Sequence, residues 1–116
     1  MQPNYKNLIV WQKSMELVVE VYRITERYPS SELYGLTSQS RRCSVSIPSN
    51  IAEGRRRSGD KEFFHFLSIS FASGAELETQ IEIAKRLPWG VNIDFSKVDS
   101  LLIEVMKILS KLLQSK

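Results

Sequence analysis

The sequence predicts an all-α protein, an antiparallel up-down-up-down four-helix bundle, and three observations lead there. Four amphipathic segments follow one another at helical periodicity, short connections marked by Pro, Gly and Ser separate them, and no stretch alternates apolar and polar residues as a half-buried strand would. Short connections make consecutive helices run antiparallel. At 116 residues the chain has the size of one domain, and residues 1–116 are read as one.

In the first segment Leu8, Trp11, Met15, Val18, Tyr22 and Thr25 recur at steps of three and four. Leu17, Val21, Ile24 and Tyr28 widen that stripe into a broad apolar face. Pro29 marks the end of the segment, because proline disfavours helical geometry in the residue before it. The second helix is expected to begin between Ser30 and Thr37, with Leu36, Cys43, Ile47 and Ile51 as its apolar line. Pro48 lies inside it, where the ring removes one backbone hydrogen bond and crowds the carbonyl of Ser44, which predicts a kink and not a break.

Ser58-Gly59-Asp60 reads as a turn and cap, with Asp60 and Glu62 where a helix N-terminus favours negative charge. The third helix then runs to about Leu87, burying Phe63, Leu67, Ser70, Gly74, Leu77, Ile81 and Ala84; its small residues predict close approach of a neighbouring backbone. Pro88-Trp89-Gly90 stops it. The fourth opens at Asp94 or at Ser96, which has Asp99 three residues on as in a capping box. Val98, Leu102, Val105, Leu109 and Leu112 give it a heptad-like stripe, broadened by Leu101, Met106, Ile108 and Leu113.

Composition and residue counts exclude several function classes. Apolar residues at 42% and charged residues at 25% are the balance of a folded globular protein. No apolar run approaches the roughly eighteen residues of a membrane helix, and the N-terminus lacks a secretory apolar stretch, so a soluble, cytoplasmic protein without a membrane role is expected. The single Cys43 closes no internal disulfide, agrees with a reducing compartment and reads as a small buried apolar residue. Glu62-Phe63-Phe64-His65 has the Glu-x-x-His spacing of di-iron bundle sites, but such a site needs a second copy and His65 is the only histidine, so neither metal nor cofactor is expected. The same count leaves a serine or cysteine nucleophile without a convincing base, and no glycine-rich phosphate loop is present, so no enzyme is expected.

Two features remain as candidate sites. Gln39, Arg42, Ser46, Asn50 and Glu53 are spaced by three or four residues and form a polar band beside the apolar line of the second helix. That band fits a hydrogen-bonded network at the core edge or in a subunit seam, a nucleic-acid or small-ligand surface, or plain solvation. The second feature is charge. Arg41, Arg42, Arg55, Arg56, Arg57 and Lys61 lie against only Glu53 and Asp60 within residues 41–61, a local net charge of +4 in a chain of +3, so the remainder sums to −1. Arginine suits phosphate because its planar fork donates two parallel hydrogen bonds at constant charge. Basic runs at helix ends also complement the helix dipole and aid solubility.

The runs Leu8-Ile9-Val10-Trp11-Gln12-Lys13, Tyr34-Gly35-Leu36-Thr37-Ser38-Gln39 and Ser46-Ile47-Pro48-Ser49-Asn50-Ile51-Ala52-Glu53-Gly54, with Glu62-Phe63 and Phe66-Leu67, carry a family resemblance. In order, over roughly residues 7–87, they resemble the four-helix bundle proteins encoded within intervening sequences of bacterial 23S ribosomal RNA genes; the fourth helix matches by pattern only. The resemblance implies a ring-like homopentamer and a distant similarity to the accessory protein of diversity-generating retroelements, which binds nucleic acid and a reverse transcriptase. RNA binding in the family is suggested by genomic location and basic surface, and its basic residues are matched by Arg42 and the run after Gly54. Two functions are therefore expected in competition. The first is a non-enzymatic oligomer that binds structured RNA, ribosomal RNA among the candidates, through Arg41, Arg42, Arg55, Arg56, Arg57 and Lys61. The second is a scaffold for another protein, favoured by the broad apolar face of the fourth helix and by Trp11 and Trp89.

Overall fold

The Asn4 side chain accepts from the Lys6 backbone N–H at 2.9 Å and begins a 3-10 turn, Tyr5–Asn7. The computed structural model describes residues 4–57 and 59–115. Four long helices follow, α1 (Ile9–Thr25), α2 (Ser38–Arg56), α3 (Asp60–Arg86) and α4 (Ser96–Gln114), and no strand occurs among the described residues. The molecule is a four-helix bundle of 49 × 22 × 19 Å in which α1 and α3 each pack against α2 and α4. Cross-contacts fix the antiparallel order. Lys13 reaches Glu104 and Glu20 reaches Lys97 between α1 and α4, Lys85 reaches Asp99 between α3 and α4, and Ser46 meets Ser73 between α2 and α3.

The core gathers Leu17, Val21 and Ile24 of α1, Ile47 and Ile51 of α2, Leu67, Leu77 and Ile81 of α3, and Val98, Val105 and Leu109 of α4, all essentially inaccessible to solvent. Each such side chain contributes roughly 1.5–3 kcal/mol relative to an exposed one. The α3 line agrees with its spacing: Leu67, Ser70, Gly74, Leu77, Ile81 and Ala84 are buried, Gln80 joins them, and Phe63 is half-buried.

The face of α1 differs from the expectation. Val10, Ser14, Leu17, Val21 and Ile24 form the buried line, whereas Met15 and Tyr22 of the expected leading stripe are 39% and 42% exposed. Apolar residues cover more than half of this helix, so periodicity alone does not choose the face, and packing against α2 and α4 does.

The entry to α2 is also later than its earliest signal. Two short turns, Ser30–Glu32 and Leu33–Thr37, precede Ser38. Gly35 takes non-helical angles inside the second, and the Glu32 carboxylate accepts from the Leu36 N–H at 3.2 Å, so the chain bends before the helix can start. Past Pro48, α2 continues unbroken, and the buried Ser70 hydroxyl donates to the neighbouring Ile47 carbonyl at 2.9 Å.

At α4 the expected capping box does not form. Asp94 accepts from the Ser96 N–H at 3.0 Å, while Asp99 turns to Lys85 at 2.7 Å; an ion pair between helices holds the carboxylate more strongly than a neutral backbone N–H.

Candidate nucleic-acid interface

Where α2 ends and α3 begins, two glycines shape the chain. Gly59 has φ of +100°, a left-handed value that suits glycine alone, and it lets the chain reverse within the short connection that contains Ser58, which lies outside the described residues. Of the expected Ser58-Gly59-Asp60 turn and cap, only the last two residues are described: Gly59 occupies the cap position of α3 and offers no side-chain bond, and Asp60 and Glu62 lie in the first turn, where the dipole favours them. Gly54 is buried against α3, and a Cβ there would lie 2.7 Å from the Cβ of Phe66 and 3.3 Å from the ring of Phe63. The two helices thus meet closely just before the arginine run.

That closeness sets the arginines beside rings. The Arg55 guanidinium lies over Phe63 at 5.3 Å, Arg57 over Phe66 at 5.2 Å, and Arg56 over Tyr5 of the N-terminal turn at 5.3 Å. Arg57 also bonds Glu53 at 2.8 Å across a half-exposed pair. Arg55 and Arg56 form no ion pair among the described residues, and Arg55 Nε is buried without an acceptor there. His65 is exposed and sits edge-on to Phe66 at 5.3 Å, and Lys61 borders a shallow depression with Phe64, His65 and Ser68. The product is a cationic surface backed by aromatic rings. Cation–π contacts of this kind contribute about 0.5–1 kcal/mol each at exposed sites and hold an otherwise mobile side chain.

Arg41 and Arg42 lie elsewhere. They are about 20 Å up α2 from the Arg55–Arg57 run at 1.5 Å per residue. Arg41 donates to Thr25 Oγ1 at 2.9 Å and covers Tyr22 at 4.6 Å, tying α2 to the end of α1. Arg42 is exposed, with no hydrogen bond or ion pair among the described residues. The six basic residues are thus divided by the helix into one group of four and one pair.

The polar band on α2 is partly a helix seam. Ser46 Oγ lies 2.8 Å from Ser73 Oγ on α3, and Asn50 donates to the Ser46 carbonyl and hydroxyl at 2.9 and 3.0 Å. Both residues are half-buried, while Gln39, Arg42 and Glu53 are exposed. The Ser46–Gly54 block therefore packs α2 on α3: Ile47, Pro48, Ile51 and Gly54 are buried, and Ser46 and Asn50 bond at the edge. Cys43 is buried, and its thiol is pushed up from its ordinary pKa chiefly by that burial.

Sequence reading missed Glu20. This carboxylate is 3% exposed, paired with Arg23 and 3.9 Å from Lys97, and the Arg23 hydrogen bond holds its pKa below the ordinary value. Glu20 sits three residues before Arg23, which was the available signal; its burial depends on α4 and is not visible locally. Tyr5, Phe63 and Phe66 were likewise not recognised as partners of arginines.

Among the described residues no three His, Cys, Asp or Glu side chains converge as metal ligands, and no helix is long and apolar enough to cross a membrane. The fold and this surface define a helical-bundle protein whose prominent exposed chemistry is guanidinium over aromatic ring. Residues 6–111 match the 23S rRNA-intervening sequence protein family, and the chain belongs to that family. Among curated proteins none matches it.

Proposed function

We propose that the chain is a non-catalytic RNA-binding protein whose contact surface is the α2–α3 end of the bundle, with Arg55, Arg56, Arg57 and Lys61 as the phosphate-binding residues. The observation that carries this reading is the set of three consecutive arginines each resting over an aromatic ring, only one of them committed to an ion pair. The family name, which places its members with the intervening sequences of 23S rRNA, supports RNA as the polyanion and ribosomal RNA as the first candidate. A role without catalysis accords with the exposure of His65 and the burial of Cys43, which sit on different helices. The test is filter retention of labelled rRNA fragments across a salt series. Binding at low salt that weakens linearly in log–log form supports the reading, and undetectable binding at low salt overturns it.

Self-association completes the proposal, with the homopentamer of the family resemblance as the expected form. Its support is exposed apolar surface that the bundle does not use, including Ile9 and Val19 on α1 at 63% and 67% exposure. The polar band of Gln39, Arg42 and Glu53 would then lie at a seam between subunits. Light scattering of the purified chain tests this directly.

A protein-scaffold role remains the second reading, on one specific observation. A groove of about 530 Å³ runs between α3 and α4, floored by Phe71, Ile81, Leu102 and Met106 and edged by the exposed Ile103. A stoichiometric protein in a pull-down, with no nuclease-sensitive component, would favour it.

A further inference from the structure

Four consecutive aromatic residues open α3: Phe63, Phe64, His65 and Phe66. At 100° per residue they point around the helix, so burial of one face cannot explain them all. Phe63, Phe64 and Phe66 are half-buried and His65 is exposed. The register explains why the bundle leaves them partly uncovered. With Lys85 beside Asp99 and Gly74 against Met106, the end of α4 falls level with about Ser68, so the first two turns of α3 project past it. Cations interleave with these rings: Arg55 over Phe63, Arg57 over Phe66, Arg56 over Tyr5, and Lys61 beside Phe64.

We infer that this end of the bundle takes unpaired nucleotides of an RNA, held by base stacking on the ring and guanidinium layers together with phosphate contacts, and not the groove of a duplex. The inference rests on the RNA-binding reading above and names the substrate of that same surface. A duplex keeps its base faces within its own stack, so it offers this surface phosphates and 2′-hydroxyls but no open ring face on which a guanidinium or an aromatic side chain could stack. A-form RNA also has a deep, narrow major groove that side chains cannot read. Arginines whose guanidinium carbons lie 5.2–5.3 Å from ring centroids are held at the protein surface and do not extend freely from it into a groove. Arg56 and Arg57 are exposed, so the guanidinium of Arg56, and that of Arg57 beyond the Nε that bonds Glu53, is open to a base or to phosphate oxygens. An unpaired nucleotide supplies both, an open π-face and a flanking phosphate, and every base has such a face, so the selection is for strandedness and not for sequence.

The test compares the full chain binding a labelled oligouridine and a labelled RNA duplex of equal length, by fluorescence anisotropy at one salt concentration. The single strand is expected to bind about tenfold more tightly or better, the scale of one base–aromatic stack. Arg56→Lys/Arg57→Lys keeps the charge and removes the planar group; it is expected to lower single-strand affinity about fivefold or more and duplex affinity less than about twofold. Tyr5→Leu, which removes the ring under Arg56 while keeping apolar bulk, is expected to act in the same direction, and circular dichroism checks that both variants fold. Equal or tighter duplex binding, or undiminished single-strand binding in both folded variants, would overturn the inference and leave the RNA-binding reading standing. Failure to bind either RNA would overturn both.

Discussion

Gly54 lies directly beneath Phe66, so close that a Cβ added to the glycine would stand 2.7 Å from the Cβ of the phenylalanine. Phe66 cannot retreat by rotating its ring, because the atom in conflict is fixed to the backbone of α3. The close approach is what brings the residues after Gly54 beside the rings of α3, so packing and candidate site share one cause.

Replacing that glycine should therefore separate the helices. Alanine restores about 1 kcal/mol of helix propensity, while overpacking at such a contact costs about 1–3 kcal/mol. We expect Gly54→Ala to be destabilised by roughly 0–2 kcal/mol in urea denaturation, and to weaken RNA binding through displaced arginines. A Gly54→Ala protein more stable than the parent would contradict the close contact.

The buried carboxylate of Glu20 gives the protein an acid-sensitive joint between α1 and α4. Its folded pKa lies below the ordinary 4.5 because the Arg23 hydrogen bond, the largest effect, outweighs the opposing desolvation that comes next, and the charges of Arg23 and Lys97 lower it further. A depressed carboxylate stabilises the fold in full above the unfolded pKa and loses that stabilisation as pH falls through the folded one. Stability should thus decline as pH drops below about 4.5, and Glu20→Gln should flatten that decline while costing roughly 1–3 kcal/mol at neutral pH. Thermal melts of both proteins from pH 7 to pH 3 check the sign.

Arg41 is expected to behave unlike the other basic residues of residues 41–61. Its bond to Thr25 and its place over Tyr22 make it a tie between α1 and α2, distant from the Arg55–Arg57 run. Arg41→Ala should lose about 1–2 kcal/mol of stability and change RNA affinity by less than about twofold. Comparable RNA-binding losses in Arg41→Ala and Arg56→Ala would argue for one continuous basic surface.

Arg42 separates a subunit seam from a solvated surface. It is exposed, and no described residue bonds it, so within one chain Arg42→Ala should shift stability by no more than about 0.5 kcal/mol. If the polar band lies between subunits, the same variant should dissociate at higher protein concentration than the parent in light scattering. A parental mass profile would place the band in solvent.

Much of this molecule was legible from spacing. The α3 line of Leu67, Ser70, Gly74, Leu77, Ile81 and Ala84 could be read directly, because small and large residues alternate on one face and polar residues occupy the other. The face of α1 could not, since Met15 and Tyr22 compete with Leu17 and Val21 at the same period, and only the partner helices decide between them. The site was half visible. Six cations stand out in the chain, but their division follows from the length of α2, and their aromatic partners sit on other elements, with Tyr5 far from Arg56 in sequence. Burial of Glu20 is equally non-local, since it requires α4 to pack over an acidic residue one turn from an arginine.

The measurement that bears most directly on the central claim is the salt dependence of RNA affinity for the parent and for Arg55→Ala/Arg56→Ala/Arg57→Ala, with circular dichroism confirming that both are folded. If these three residues are the phosphate contacts, the variant should bind at least about tenfold more weakly at low salt, and its log–log salt slope should be smaller by about 2. An unchanged affinity and slope in a folded variant would contradict the account.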